Sequence, residues 1–287
     1  MTARALLYAP NGALRAPWRI LTFLVATIGC ALVASAAISP LAPSLATTGV
    51  PMLASSLVML LAVAGGTIIT LRWTDRRPWR DVWLDRAAAK PRRLIEGFLL
   101  GVLAIGIPSV VLISAGWLAV EPDAAGSWTG AALRLSTLLL IAALAEELAF
   151  RGYLLAVLRE ALGSAPALAL TSVAFGYVHI RNPGSSLRAL AIVMLAGLFL
   201  GGVLLVTRSL YAAWMAHFSW NWTMAVLLHL PVSGLETETP DYRTVDTGPD
   251  WVTGGVWGPE GGIAAALGIL GGMGYLFVRR RRGTVSA

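Results

Sequence analysis

The sequence predicts an all-α fold, a polytopic membrane helical bundle of about eight transmembrane helices with the N and C termini cytoplasmic. The first observation is composition: 57% of the 287 residues are apolar, 13% are charged and the mean hydropathy is +0.73. The second is that the apolar residues form long charge-free blocks of span length. The third is that basic residues gather at the ends of these blocks rather than on one amphipathic face, which argues against a nucleic-acid partner.

Eight helices account for the blocks in chain order. The charge-free block at residues 20–71 is long enough for helices one and two, and proline and glycine divide it. Helices three, five, six, seven and eight follow from the charge-free blocks 97–120, 161–178, 189–207, 209–228 and 261–278. Helix four differs because it contains charged residues. The predicted helix ranges are 18–38, 49–71, 94–120, 131–158, 165–180, 189–206, 210–230 and 260–278.

The basic residues set the predicted orientation. With the N-terminus inside, 17 of the 20 basic residues outside helix four lie in inner segments, and only Arg181, Arg188 and Arg243 lie outside. Cytoplasmic loops carry an excess of Lys and Arg, so both termini are expected in the cytoplasm. Arginine outnumbers lysine 21 to 1, which is typical of a GC-rich bacterial genome. We therefore expect a multi-pass protein of the bacterial inner (plasma) membrane, in contact with the lipid bilayer.

The first apolar block has an alternative interpretation as a secretory signal. Residues 34–36 read Ala-Ser-Ala, which resembles a small-residue cleavage site after an apolar run. The long leader before Trp18 and the span length of the block favour a retained transmembrane helix. Cys30 is the only cysteine, so an intrachain disulfide and a cysteine metal cluster are both excluded.

Helix four carries charged residues that a membrane span disfavours. Glu146, Glu147 and Arg151 lie in an otherwise apolar segment, where each charge at mid-bilayer costs about 2.5 to 3.5 kcal/mol on insertion scales. Glu147 and Arg151 are four residues apart, so they share a helix face and can form an ion pair. Glu146 has no partner at helical spacing, and we expect its partner on another helix.

Polar residues of two other helices are expected at the depth of Glu146. His179 lies near the end of helix five, and His217 and Asn221 are four residues apart on one face of helix seven. At ~1.5 Å per residue, Glu146, His179 and Asn221 lie roughly 18 to 21 Å from the cytoplasmic ends of their helices. Hydrogen bonding between packed helices is the alternative explanation, but several groups of compatible chemistry at one depth favour a functional site.

These residue types suit hydrolysis of a carbonyl compound. A carboxylate and an imidazole that share one water can activate it as a nucleophile, the carboxylate taking the proton, and Glu146 with His179 fits this role. A second imidazole and an amide can donate hydrogen bonds to the oxyanion that forms, and His217 with Asn221 fits that role. Serine and cysteine nucleophiles are less suitable, because Cys30 has no polar residue at helical spacing and no GxSxG elbow occurs.

Three motifs carry a family resemblance. Residues 146–154 read EELAFRGYL, which resembles the EExxFRGxL motif of the CAAX protease and bacteriocin-processing (CPBP, or Abi) family. Phe175 and His179 match its FxxxH motif, and residues 217–221 match its HxxxN motif. All three occur in the family's order, and no motif position departs from the pattern.

The resemblance implies an intramembrane glutamic endopeptidase. In this family, Glu146 and His179 would position and activate water, and His217 and Asn221 would form the oxyanion hole. Glu147 and Arg151 would support the site, and Phe175 belongs to the second motif. The expected partner is a membrane-embedded or membrane-associated protein or peptide substrate, which in eukaryotic members is a prenylated CAAX protein.

Other functions stay open at this point. Glu146, His179 and His217 are residue types that ligate zinc, but no HExxH pair is present and the resemblance favours a metal-free mechanism without a cofactor. A non-proteolytic membrane scaffold or immunity protein is the first alternative function. An ion- or proton-coupled transporter is the second, although the sequence lacks inverted repeats.

The motifs divide the chain into three predicted regions. Residues 1–130 hold transmembrane helices one to three and the basic cytoplasmic loop 72–93. Residues 131–230 form the CPBP-like catalytic core of helices four to seven. Residues 231–287 comprise an acidic outer loop, the last transmembrane helix and a basic cytoplasmic tail.

Overall fold

A computed structural model describes residues 6–9, 12, 14–41, 43–44, 52–237 and 240–285. Nine helices of ten residues or more occur in these ranges and pack into one bundle. They are α1 (Ala16–Ile38), α2 (Leu53–Ile69), α3 (Pro91–Ser114), α4 (Trp128–Arg151), α5 (Tyr153–Leu162), α6 (Ser164–Val178), α7 (Leu187–Thr207), α8 (Leu210–Trp222) and α9 (Ile263–Val285). The predicted polytopic helical bundle is confirmed.

Six helical segments are long and apolar enough to cross a membrane. They are Ala16–Leu41, Leu53–Thr74, Pro91–Ser114, Trp128–Leu162, Leu187–Thr207 and Ile263–Arg282. The predicted count of eight is not confirmed, because α6 has 15 residues and α8 has 13. α8 packs against α3, α4 and α7, and Ala212, Ala213 and Ala216 on it are fully buried. A helix enclosed in this way by other helices does not need an apolar surface toward lipid.

The predicted fourth helix, 131–158, is two helices in the structure. α4 ends at Arg151, and α5 begins at Tyr153. Gly152 between them has ψ of −121°, which is not helical. A Cβ at Gly152 would lie 2.5 Å from the carbonyl oxygen of Leu148, so the break suits glycine alone.

The predicted third helix, 94–120, is also shorter than expected. α3 ends at Ser114, and β1 (Leu118–Pro122) follows it. β1 pairs antiparallel with β2 (Tyr242–Asp246), with Leu118 opposite Asp246. This two-stranded sheet was not predicted. It joins two loops that the sequence assigns to the outer side, so the pairing agrees with that assignment.

A polar cluster connects helix α1 with helix α5 on the face of the bundle opposite the β-sheet. It consists of Arg19, Asp75, Tyr153 and Glu160, and we call it the Arg19 cluster. Arg19 donates from Nε to Asp75 Oδ2 at 2.9 Å and from Nη1 to Glu160 Oε2 at 2.7 Å. The Tyr153 hydroxyl donates to Asp75 Oδ2 at 2.9 Å. All four residues come from segments at or near the predicted inner ends of helices, and that this face is cytoplasmic stays a prediction.

α3 and α8 approach each other closely through two glycines. A Cβ at Gly97 would overlap the carbonyl oxygen of Ala212, and a Cβ at Gly101 would overlap that of Ala216. Small residues at such positions allow helix backbones to pack in contact. The crossing fixes α8, which carries two of the four predicted catalytic residues, in the centre of the bundle.

Candidate active site

The structure brings the four predicted catalytic residues to one cavity of about 410 Å³. Glu146 lies in the last turns of α4, His179 directly follows α6, and His217 and Asn221 lie on α8. All four line the cavity. Residues separated by up to 75 positions in the sequence therefore meet as the depth argument predicts.

Glu147 and Arg151 form the ion pair that their spacing predicts. Both side chains are buried, with 0% and 1% of their surface exposed. Arg151 donates from Nη1 to Glu147 Oε1 at 3.0 Å and from Nη2 to the carbonyl oxygen of Gly197 at 3.3 Å. The second hydrogen bond connects α4 to α7. It also gives the guanidinium a further acceptor, and burial of this group without partners would be costly.

His217 is oriented by this ion pair. Its Nδ1 lies 2.9 Å from Glu147 Oε1, the same oxygen that accepts from Arg151. A carboxylate oxygen only accepts, so Nδ1 carries the proton and donates. The other ring nitrogen, Nε2, lies 3.8 Å from Glu146 Oε2, which is too long for a direct hydrogen bond.

Glu146 differs from Glu147 in its surroundings. Its side chain is 25% exposed, and Oε2 is buried without a hydrogen-bond partner among the described residues. The sequence pairs Glu146 with His179, but the imidazole found within 4 Å of its carboxylate is that of His217. The division of roles between the two histidines therefore stays a prediction.

His179 terminates α6 with its side chain. Its Nδ1 lies 2.7 Å from the carbonyl oxygen of Phe175. Since a carbonyl oxygen accepts, Nδ1–H donates and Nε2 is the nitrogen that is left for a ligand. The bond satisfies one of the carbonyl groups that the last turn of a helix leaves without a partner.

The ring of Phe175 contacts His179, His217 and Arg151. Its ring centroid lies 5.0 Å from that of His179 and 5.8 Å from that of His217, edge-on in both cases. The Arg151 guanidinium carbon lies 4.1 Å from the same centroid, within the range of a cation–π contact. One side chain thus contacts both imidazoles and the buried arginine, which gives the aromatic position of the FxxxH motif a physical role.

The cavity contains a carboxylate that the sequence analysis missed. Glu260 is 7% exposed and lines the same cavity as Glu146. Its Oε2 accepts from Trp220 Nε1 at 3.1 Å, and its Oε1 accepts from the Ser233 hydroxyl at 2.5 Å. An acid directly before a charge-free block is a weak signal. Only the fold shows that α9, which begins three residues later, packs against α3 and α7.

The cavity reaches from the motif residues toward the face that carries the β-sheet. Its wall at that end includes Asn182 and Ser233, and Asn182 Nδ2 donates to the carbonyl oxygen of Ser233 at 3.0 Å. Met52 and Ser55 at the start of α2 also line it. This face is the predicted outer one.

The less favoured zinc alternative would use Glu146, His179 and His217. No group of three or more His, Cys, Asp or Glu side chains in the part of the chain that the structure describes is arranged to hold a metal ion. Glu146, His179 and His217 line one cavity without forming such a group. The metal-free mechanism itself stays a prediction.

Comparison with known proteins gives one match. Residues 128–223 match the family model described as type II CAAX prenyl endopeptidase Rce1-like. No curated protein matches the chain. The matched range begins with α4 and ends one residue after α8, so it contains all three motifs and the four cavity residues drawn from them. The family resemblance of the motifs is confirmed, because residues 128–223 match the Rce1-like family of CAAX endopeptidases.

Proposed function

We propose that this protein is an intramembrane glutamic endopeptidase that hydrolyses a peptide bond of a membrane-embedded or membrane-associated substrate. One observation carries the proposal: a carboxylate, two imidazoles and an amide from three helices line one cavity within the segment that matches the endopeptidase model. Family membership alone does not identify the reaction. The arrangement of these four side chains supplies the chemical argument.

The first step activates water between Glu146 and His179. Neutral His179 donates from Nδ1 to the Phe175 carbonyl, so its Nε2 lone pair accepts one O–H of the water. The Glu146 carboxylate accepts the other O–H and takes that proton. The new hydroxide oxygen bonds to the carbonyl carbon of the substrate, and the π electrons move to the carbonyl oxygen.

The second part of the site stabilises the resulting oxyanion. Asn221 donates from its amide, and His217 donates from Nε2 while Nδ1 still donates to Glu147. This double donation requires the imidazolium form of His217. With His217 in that form and Glu146 still ionised, the formal charges of the four residues Glu146, Glu147, Arg151 and His217 sum to zero, which suits a water-poor interior. The oxyanion later replaces the negative charge that Glu146 loses when it takes the proton. Protonated Glu146 then gives its proton to the amide nitrogen as the C–N bond breaks.

Glu147 and Arg151 act through His217 in this scheme. The carboxylate of Glu147 accepts from both cations, so it fixes the tautomer and the orientation of the imidazole. Both residues are fully buried and neither lines the cavity. They are positioning residues rather than groups that touch the substrate.

The proposal requires no cofactor and places the protein in the inner membrane of a bacterium. The catalytic core is residues 131–230, flanked by the helices of 1–130 and 231–287. The six span-length helices and the family support a multi-pass membrane location and a substrate that resides at the bilayer. A chelator such as EDTA should leave the activity unchanged, whereas a zinc-dependent reaction would stop.

A comparison of new protein N-termini tests the reaction. Membranes of the native host would contain either the intact protein or Glu146→Gln at equal abundance, and new N-termini would be sequenced by mass spectrometry. Products that occur only with the intact glutamate support the peptidase and identify its substrate. The same products from both forms would contradict the general-base role of Glu146. A protein that copurifies with both forms and is cut by neither would favour a scaffold.

A further inference from the structure

Glu260 is a buried carboxylate with two fixed hydrogen bonds and no cationic partner among the described residues. Trp220 Nε1 is a donor only, so the Glu260 oxygen that it contacts accepts the hydrogen bond. The Ser233 hydroxyl donates to the other oxygen. Each carboxylate oxygen can accept a second hydrogen bond, and the side chain lines the cavity.

The charge of Glu260 is not balanced by the cavity wall. No lysine or arginine occurs among the described residues that line the cavity, whereas Glu146 and Glu260 both do. Arg188, which is close in the same part of the fold, donates instead to the carbonyl oxygens of Gly261 and Asp250. A carboxylate that is buried without a cation carries a large desolvation penalty.

A buried hydroxyl that belongs to the lining of the same cavity lacks a hydrogen-bond partner among the described residues. This hydroxyl is Thr237 Oγ1. Buried polar atoms normally have partners, and a donor and acceptor without one in a cavity point to a ligand.

We propose that Glu260 binds a cationic group of the substrate, a lysine or arginine side chain or a free amine. The proposal rests on the proposed function for the identity of the bound molecule as a peptide. A cavity of about 410 Å³ is within the usual size for small-molecule sites. A carboxylate without a Lys or Arg in the described wall makes the Glu260 end of the cavity unfavourable for a free C-terminal carboxylate, which a CAAX peptide carries.

Peptide binding to the inactive Glu146→Gln protein tests the proposal. The probes are fluorescent apolar decapeptides with one lysine, norleucine or glutamate, scanned along the sequence. We expect at least one position where lysine binds roughly 10-fold tighter than norleucine and glutamate binds weakest, because a desolvated ion pair discriminates strongly. Glu260→Gln, which keeps an oxygen for Trp220, should remove the preference. Glu121→Gln, which removes an exposed carboxylate on strand β1, should retain the preference for lysine.

The two proposals fail in different ways. Equal binding of lysine and norleucine peptides at every position, or a lysine preference that survives Glu260→Gln, would overturn the role of Glu260. Neither result depends on hydrolysis, because the protein used for binding is already inactive. Lysine-dependent binding together with no cleavage by the intact protein would overturn the peptidase and leave the cation site. If Glu260→Gln does not fold, the lysine, norleucine and glutamate comparison with Glu260 present decides the matter.

Discussion

His217 Nδ1 lies 2.9 Å from Glu147 Oε1, so the second glutamate of the EE pair orients an imidazole. The two adjacent acids therefore have different surroundings. Glu147 is fully buried and accepts from Arg151 and His217, whereas Glu146 is 25% exposed and lines the cavity. Adjacent residues on a helix differ in direction by about 100°, which is what allows the two acids to serve separate purposes.

Glutamine substitutions of Glu146 and Glu147 should affect different properties of the protein, namely its activity and its stability. Glu147→Gln leaves Arg151 buried without a counter-charge, so we expect the free energy of unfolding to fall by about 3 to 5 kcal/mol. Glu146→Gln should change it by less than about 0.5 kcal/mol while activity is lost. Thermal unfolding of both proteins in one detergent measures the difference. Equal stability of Glu147→Gln and the parent would contradict the buried ion pair.

Asn221→Ala should reduce turnover more than binding. If Asn221 donates to the oxyanion, its removal should lower kcat by about 10²- to 10³-fold with little change in KM, because the bond forms in the transition state. Steady-state kinetics on the substrate identified from its new N-terminus measures both constants. A raised KM at unchanged kcat would instead assign Asn221 to substrate binding.

The crossing of α3 and α8 predicts a pair of glycine substitutions with opposite outcomes. Gly101→Ala should destabilise the protein by about 1 to 3 kcal/mol, because the new Cβ overlaps the Ala216 carbonyl and must push α8 away. Gly106→Ala on the same helix is the matched control, since its Cβ would lie 3.9 Å from Thr223 in ordinary contact. Detergent unfolding of both variants tests this, and equal stability would show that the crossing is looser than described.

Removal of Arg19 should also destabilise the protein. Arg19→Met leaves Asp75, whose side chain is 6% exposed, without its cation, and we expect a loss of about 3 to 5 kcal/mol. Arg80→Gln is the control, because Arg80 is 77% exposed and its ion pair with Asp81 spans 3.8 Å. Exposed pairs of that kind contribute at most about 1 kcal/mol. Similar unfolding temperatures for the two variants would mean that the Arg19 cluster adds no stability.

The sequence is most informative where the signal is local. Charge-free blocks predict the long helices, and the i,i+4 spacing of Glu147 and Arg151 predicts their ion pair. Equal depth correctly places Glu146, His179 and Asn221 in one cavity, because helix rise is constant. The helices and the ion pair depend only on residues within a few turns of one another, and depth is counted along each helix separately.

Features that depend on distant segments could not be predicted in the same way. Strand β1 pairs with a strand more than 100 residues later, and nothing in residues 118–122 alone indicates that partner. The depth of a residue along its helix does not give the rotation of that helix about its axis. Depth therefore could not show that His217 rather than His179 approaches Glu146. Glu260 reaches the cavity only because Trp220 and Ser233, from other segments, hold it there.

The Arg19 cluster has a consequence for the order in which the chain assembles. Synthesis from the N-terminus delivers Arg19 and then Asp75, and Glu160 emerges only after 85 further residues. Arg19 binds Asp75 through Nε and Nη2, which leaves Nη1 for Glu160. The helical hairpin α1–α2 can therefore close around its own ion pair before the motif helices exist. Arg19 Nη1 is then available to the nascent α5, so the N-terminal helices can serve as a template on which the motif helices dock.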